Sequence, residues 1–252
     1  MSDRGRSVTA VVTASTLAGA ALVLLGGCAT TSPALVEPRA ANAGDVHLTT
    51  GGAALVPIAG GTDTESLGHV VRPGLGTVVR GAVGLGGRSE ATLRYGGRDV
   101  GLGVRWNAFE SRTDQAGALA LLVGIEARGR LGVRADDAPA HRDDAHGAGL
   151  VIPVGVAFAS DAGLVTAWAV LQGGAERIAG PLQLDATQPA VELSLRRLFV
   201  VGQIGLGIGF RRVRVLAEIG VERDWVSGTA SGVARSFAVT SLTPAFALSI
   251  RF

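Results

Sequence analysis

The chain has 252 residues, 47% hydrophobic but only 4% aromatic, with 38 Gly and a formal net charge of +2. Its 23 basic residues are all Arg, scattered among 21 acids, so no basic patch argues for nucleic acid. A single Cys excludes an internal disulfide, and the Gly-rich composition, without a long tract of helix formers, fits strands and turns in one β domain.

In chain order, "MSDRGR" followed by "SVTAVVTASTLAGAALVLLGGC" has the charged, apolar and small-residue succession of an export signal. The span 8–27 also has the length of a membrane helix, which needs about 20 apolar residues, but its many Ala, Gly and Thr make it a weak one. The junction Leu25-Gly26-Gly27-Cys28 resembles a bacterial lipoprotein signal, although Gly26 departs from the commoner residues at its position. That resemblance implies cleavage before Cys28 and a diacylglyceryl anchor on it, and Ala29 in the next position favours the outer membrane. The expected organisation is a signal peptide over 1–27, a flexible tether over 28–44 with Cys28 as its lipid anchor, and a β domain over 45–252. The tether reading rests on the aperiodic Pro, Ala, Ser and Thr of "ATTSPALVEPRAANAG".

Beyond the tether the period becomes two. In "RDVGLGVRWNA", Val100, Leu102, Val104, Trp106 and Ala108 alternate with Gly101, Gly103, Arg105 and Asn107, which marks a strand with two different faces. The same pattern, punctuated by "GGRS", "GGRD" and "SDAG", predicts strands over 46–58, 74–86, 88–96, 98–109, 117–134, 148–159, 163–173, 190–210, 211–224 and 237–252. That makes about ten, within 8–12, because 190–210 reads either as one long strand or as two.

Polar residues segregate by parity. Val213, Val215, Ala217, Ile219 and Val221 alternate with Arg214, Leu216, Glu218, Gly220 and Glu222, and Ile204, Leu206, Ile208 and Phe210 oppose Gln203, Gly205, Gly207 and Gly209. One face is aliphatic throughout; the other carries small residues and the charges Arg80, Glu90, Arg94, Arg105, Glu126, Arg128, Arg214, Glu218 and Glu222. A soluble barrel would turn the aliphatic face inward, around a small apolar ligand, and a membrane barrel would turn it toward lipid. The Gly and Ala of the polar face favour a narrow lumen over a water-exposed surface. Trp106, Phe158, Phe210 and Phe252 fall near the ends of predicted strands at one rim, with Tyr95 and Trp225 toward the other, as in an interfacial girdle.

The closing "PAFALSIRF", with Phe246, Leu248, Ile250 and Phe252 on one face, resembles the last strand of bacterial outer-membrane β-barrels. The resemblance implies an antiparallel up-and-down transmembrane β-barrel in the outer membrane, recognition by the barrel-assembly machinery, and contact with outer-membrane lipid. Loop lengths agree in part. The connections 59–73, 135–147, 174–189 and 225–236 are long and fall on one side, with the short "GGR" between the third and fourth strands as the exception on that side.

Chemistry is sparse. "HRDDAH" supplies His141, Asp143, Asp144 and His146, divalent-metal ligand types in an outer loop, but a solvated polar loop is the plainer reading and no metal is assigned. Ser66 and His69 in "SLGH" resemble ingredients of the few barrel hydrolases, without a recognisable paired acid. "GQIGLGIG" has nucleotide-loop letters but lies inside an alternating strand with no helix after it. The expectation is a protein that is not an enzyme, with no cofactor, filling a structural, adhesive or narrow-passage role. About ten strands enclose too little space for the wide channel of barrels with roughly 16–18.

Overall fold

The computed structural model describes residues 34, 43–60, 74–113, 117–131, 133–134, 142–160, 164–183, 189–210 and 212–252. They form thirteen strands and one antiparallel sheet: β1 Val46–Gly60, β2 Gly74–Gly86, β3 Ser89–Gly96, β4 Asp99–Thr113, β5 Gly117–Arg130, β6 Val133–Arg134, β7 Arg142–Asp143, β8 His146–Ala159, β9 Val165–Gln183, β10 Val191–Phe210, β11 Val213–Ala230, β12 Val233–Leu242 and β13 Ala245–Arg251. The sheet closes on itself. β13 pairs with β1 from His47↔Arg251 to Ala53↔Ala245, and with β11 from Val213↔Ile250 to Glu218↔Ala245. β12 continues the same stave above it, so the ring has ten staves, with β6 and β7 a short ribbon attached to β9 at one end.

Pro244 explains the broken stave. It has no N–H for a ladder, and the chain steps aside there while the Pro244 carbonyl accepts from the Ala54 N–H at 2.8 Å. The stretch 190–210 is a single strand in continuous register with both neighbours.

Two predicted loops are strand instead. β9 runs through Gly173-Gly174 to Gln183, and β11 and β12 meet in a two-residue turn at Ser231-Gly232, where φ values of 46° and 79° suit a tight hairpin. Both extensions escaped the periodicity reading because their outward residues stop being aliphatic. Arg177 on β9, Ser194 and Arg196 on β10, and Ser227 on β11 are exposed. Around Phe109 the two-residue period slips at a β-bulge, which leaves Ala108 and Phe109 both facing outward.

The exposure pattern is that of a soluble protein turned inside out. Ile204, Leu206, Ile208 and Phe210 are 57–72% exposed, whereas Glu90, Glu222 and Asp224 are at 0% and Arg197 at 1%. Along β10 the outward residues from Leu198 to Phe210 are aliphatic, aromatic or Gly; at ~3.4 Å per residue and a tilt of ~40° they make a band about 31 Å tall. The hydrocarbon core of a bilayer is about 30 Å thick. The fold is therefore an antiparallel transmembrane β-barrel of ten staves, and the aliphatic face is its lipid face rather than a soluble core.

Strand directions put the starts of β1 and β3 and the end of β13 at one end of the barrel. The ends of β1, β5 and β9, after which the longest connections follow in sequence, lie at the other, which is the outer end by loop length.

Candidate functional site

The polar chemistry of this barrel is inside it, stacked in levels. All nine charges expected in the lumen face inward, Arg80, Glu126 and Arg214 partly accessible and the other six buried. In the lower half Glu90 takes Arg80 at 3.0 Å and Arg105 at 2.8 Å on the same carboxylate oxygen, bridging β2, β3 and β4. Opposite, Glu218 accepts from the Trp168 indole N–H at 2.7 Å, across the intervening strand β10. A Cβ on Gly205 would overlap that indole ring, so the bare backbone of Gly205 makes the crossing possible. The other Glu218 oxygen accepts from the Ala34 N–H at 2.8 Å, so a residue assigned to the free tether lies within the lumen.

The middle level centres on Arg197, which the sequence reading did not single out. Its Nε donates to Asp224 at 2.7 Å, one terminal nitrogen to Glu176 at 3.1 Å and the other to Glu222 at 2.5 Å. Glu176 also meets Arg130 at 3.1 Å, and on the far wall Arg94 pairs with Glu126 at 2.6 Å. The guanidiniums of Arg197 and Arg128 both lie over the Phe199 ring, 4.8 and 5.0 Å from its centre. Because Arg128 belongs to β5 and Phe199 to β10, with β8 and β9 between them, that contact reaches across part of the bore. Above it Leu55, Ile178, Leu182, Leu195, Val226 and Phe237 form an apolar cluster at the outer end.

The missed members escaped for different reasons. Glu176 was placed in a loop that is strand, and Arg197 has the lumen parity but shares its face with Phe199 and Val201, which disguised that face as apolar. Parity alone would have found Asp224, two residues beyond Glu222.

Among the proposed rim aromatics, Trp106, Phe158, Phe210 and Phe252 are all outward and 37–72% exposed. Tyr95 and Trp225 are outward near the other rim, with Arg223 5.9 Å from the Trp225 ring centre.

Cys28, Ser66, His69 and His141 lie outside the described residues. Asp144 and His146 are exposed, and among the described residues no group of three or more His, Cys, Asp or Glu is placed to hold a metal ion.

A cavity of about 60 Å³ remains among Arg80, Thr92, Arg94, Arg105, Glu126 and Gln172, with Ala34 in its wall. It has room for about two waters. A larger concavity of about 530 Å³ opens on the outer face where Ala167 and Ala217 flank Leu206. It is apolar and lies on the lipid face. Chemically, the interior can hold a few waters and brace the wall.

No protein-family model and no curated protein matches the sequence. Among solved structures the chain is similar to the attachment invasion locus protein Ail of Yersinia pestis, with 12% identity, 83% of this chain and 99% of that one covered, and a TM-score of 0.34. It is also similar to the outer membrane protein OprG of Pseudomonas aeruginosa, with 10% identity, 86% and 99% covered, and a TM-score of 0.35. A third similarity is to the outer membrane protease OmpT of Escherichia coli, with 9% identity, 90% and 100% covered, and a TM-score of 0.36. The aliphatic belt, the inward charges and the closed ring of staves make this chain a β-barrel of the bacterial outer-membrane class.

Proposed function

We propose that the protein is a non-conducting, non-catalytic outer-membrane barrel whose role, adhesive or structural, belongs to its outer end. The carrying observation is the filled bore: Arg197 with its three carboxylates, and the Phe199 ring met by guanidiniums from β5 and β10. An ion crossing this level would have to separate pairs whose partners have no water to replace them, and the apolar cluster above offers it no ligand. Narrow passage is the least supported of the expected roles. A lipid on Cys28 would add a second hold on the inner leaflet, and insertion would proceed through the barrel-assembly machinery.

The test is conductance across a planar bilayer containing the folded full chain, with insertion verified by heat-modifiable migration. No discrete current steps are expected. Steady ohmic steps from the unmodified protein would sink the proposal.

A further inference from the structure

The tall wall carries two arginines in an arrangement that the barrel itself does not explain. Arg177 on β9 and Arg196 on β10 are direct cross-strand partners. Both are exposed and both lie on the outward face, one outward step above Ala175 and Leu198, which are themselves cross-strand partners. Directly opposed side chains in an antiparallel pair have Cβ atoms about 4.5–5.5 Å apart, and like charges at that spacing are destabilising.

Their outward neighbours are Ala148 on β8 and Ser227 on β11, which are cross-strand partners of Arg177 and Arg196 respectively, with Ala179 and Ser194 above. None is a carboxylate. The nearest outward acid on β10 is Glu192, four residues away, roughly 13 Å at ~3.3 Å per residue. Elsewhere the chain pairs its arginines closely, as Arg197 and Arg80 show.

Height gives the missing partner its setting. Arg196 lies two residues above Leu198, the top of the aliphatic band, which is about 5 Å beyond the hydrocarbon edge at the strand rise and tilt used above. That is headgroup depth in the outer leaflet. Arg223, one outward step below Trp225, is a third outward guanidinium of this wall; it donates to Thr240 at 2.5 Å and lies near the indole. Planar guanidiniums bind phosphate oxygens in pairs of parallel hydrogen bonds, and one phosphate can accept from both arginines.

We propose that Arg177 and Arg196 form a binding site for the phosphomonoester of an outer-leaflet lipid headgroup, whose uncompensated negative charge relieves their mutual repulsion; the phosphate of phosphatidylcholine is a diester neutralised by its own choline and does not. The site lies outside the lumen and goes beyond the non-conducting reading, whose conductance test does not depend on it. It predicts a reversal of sign. In vesicles of phosphatidylcholine alone, Arg196→Gln and Arg177→Gln in the full chain should raise the denaturation midpoint, because a like-charge pair is removed. In vesicles containing phosphatidic acid the same variants should lower it, and enrichment of spin-labelled phosphatidic acid around the barrel should fall about tenfold, the loss of one charge-assisted contact.

Inorganic phosphate added to phosphatidylcholine vesicles should leave the wild-type midpoint unchanged. An equal shift with inorganic phosphate would overturn the lipid assignment. Shifts of the same sign in both vesicle types, or enrichment unaffected by the substitutions, would overturn the site itself. Ser194→Gln, on the same outward row, is the control and should behave as wild type.

Discussion

The two sides of the barrel differ in height, and the difference separates what the membrane demands from what the protein adds. β9, β10 and β11 have 19, 20 and 18 residues, while β3 has 8. A transmembrane strand tilted by about 45° needs about 9–11 residues. β3 is therefore nearly all membrane, whereas the tall wall carries an extra length whose outward face turns to Arg and Ser above Leu198 and Trp225.

The apolar bands differ as well. On β4 the outward apolar residues run from Val100 to Phe109 with one position absorbed by the bulge, roughly 21 Å by the same rise and tilt that give about 31 Å on β10. A bilayer meeting both sides must thin beside β3 and β4, or the barrel must tilt toward them.

Inside, the two walls use opposite pairing schemes. On the short side one carboxylate, Glu90, is shared by Arg80 and Arg105; on the tall side one guanidinium, Arg197, is shared by Glu176, Glu222 and Asp224. Removing Arg197 leaves three buried acids facing one another, so Arg197→Ala should destabilise the folded barrel by about 3–5 kcal/mol. Arg80→Ala leaves Glu90 still paired with Arg105 and should cost about 1.5–3 kcal/mol. Denaturant unfolding in lipid vesicles, followed by heat-modifiable migration, measures both; equal costs would mean that the two networks are energetically alike.

The lipid faces can be compared with a single probe residue. Ile204→Arg lies at the middle of the taller band and should cost about 2–4 kcal/mol, while Leu102→Arg, in a narrower band and so nearer an interface, should cost about 1–2 kcal/mol. Equal values would show that the bilayer keeps one thickness around the barrel. The smallest effect belongs above the band: Ser227→Arg, level with Arg196, should change stability by about 0–1 kcal/mol. A cost as large as that at Ile204 would place the hydrocarbon edge higher than the outward composition does.

Most of the fold was legible from residue order because a membrane barrel repeats one local rule. Each residue faces lipid or lumen by parity, so Val213 to Val221 and Ile204 to Phe210 declared their faces without knowledge of any neighbour. That rule holds only at membrane depth. Above it, Ala175, Arg177 and Ala179 no longer contrast with Glu176 and Ile178, which is why β9 was cut short at Gly173. Where the lumen itself becomes apolar, around Phe199 and Leu195, parity loses its contrast from the inner side.

The sequence by itself determined the alternating staves, their number to within 8–12 and nine of the inward charges, since these depend on the two-residue period of a strand and on the cost of placing charge in lipid. Only the tertiary structure decided which charges meet. Closing the ring brings Arg128 of β5 and Arg197 of β10 to the same aromatic ring and sets Trp168 over Gly205 onto Glu218. It also sets Arg177 directly beside Arg196. These contacts depend on register and curvature between strands distant in sequence, and no local pattern along a single strand encodes either.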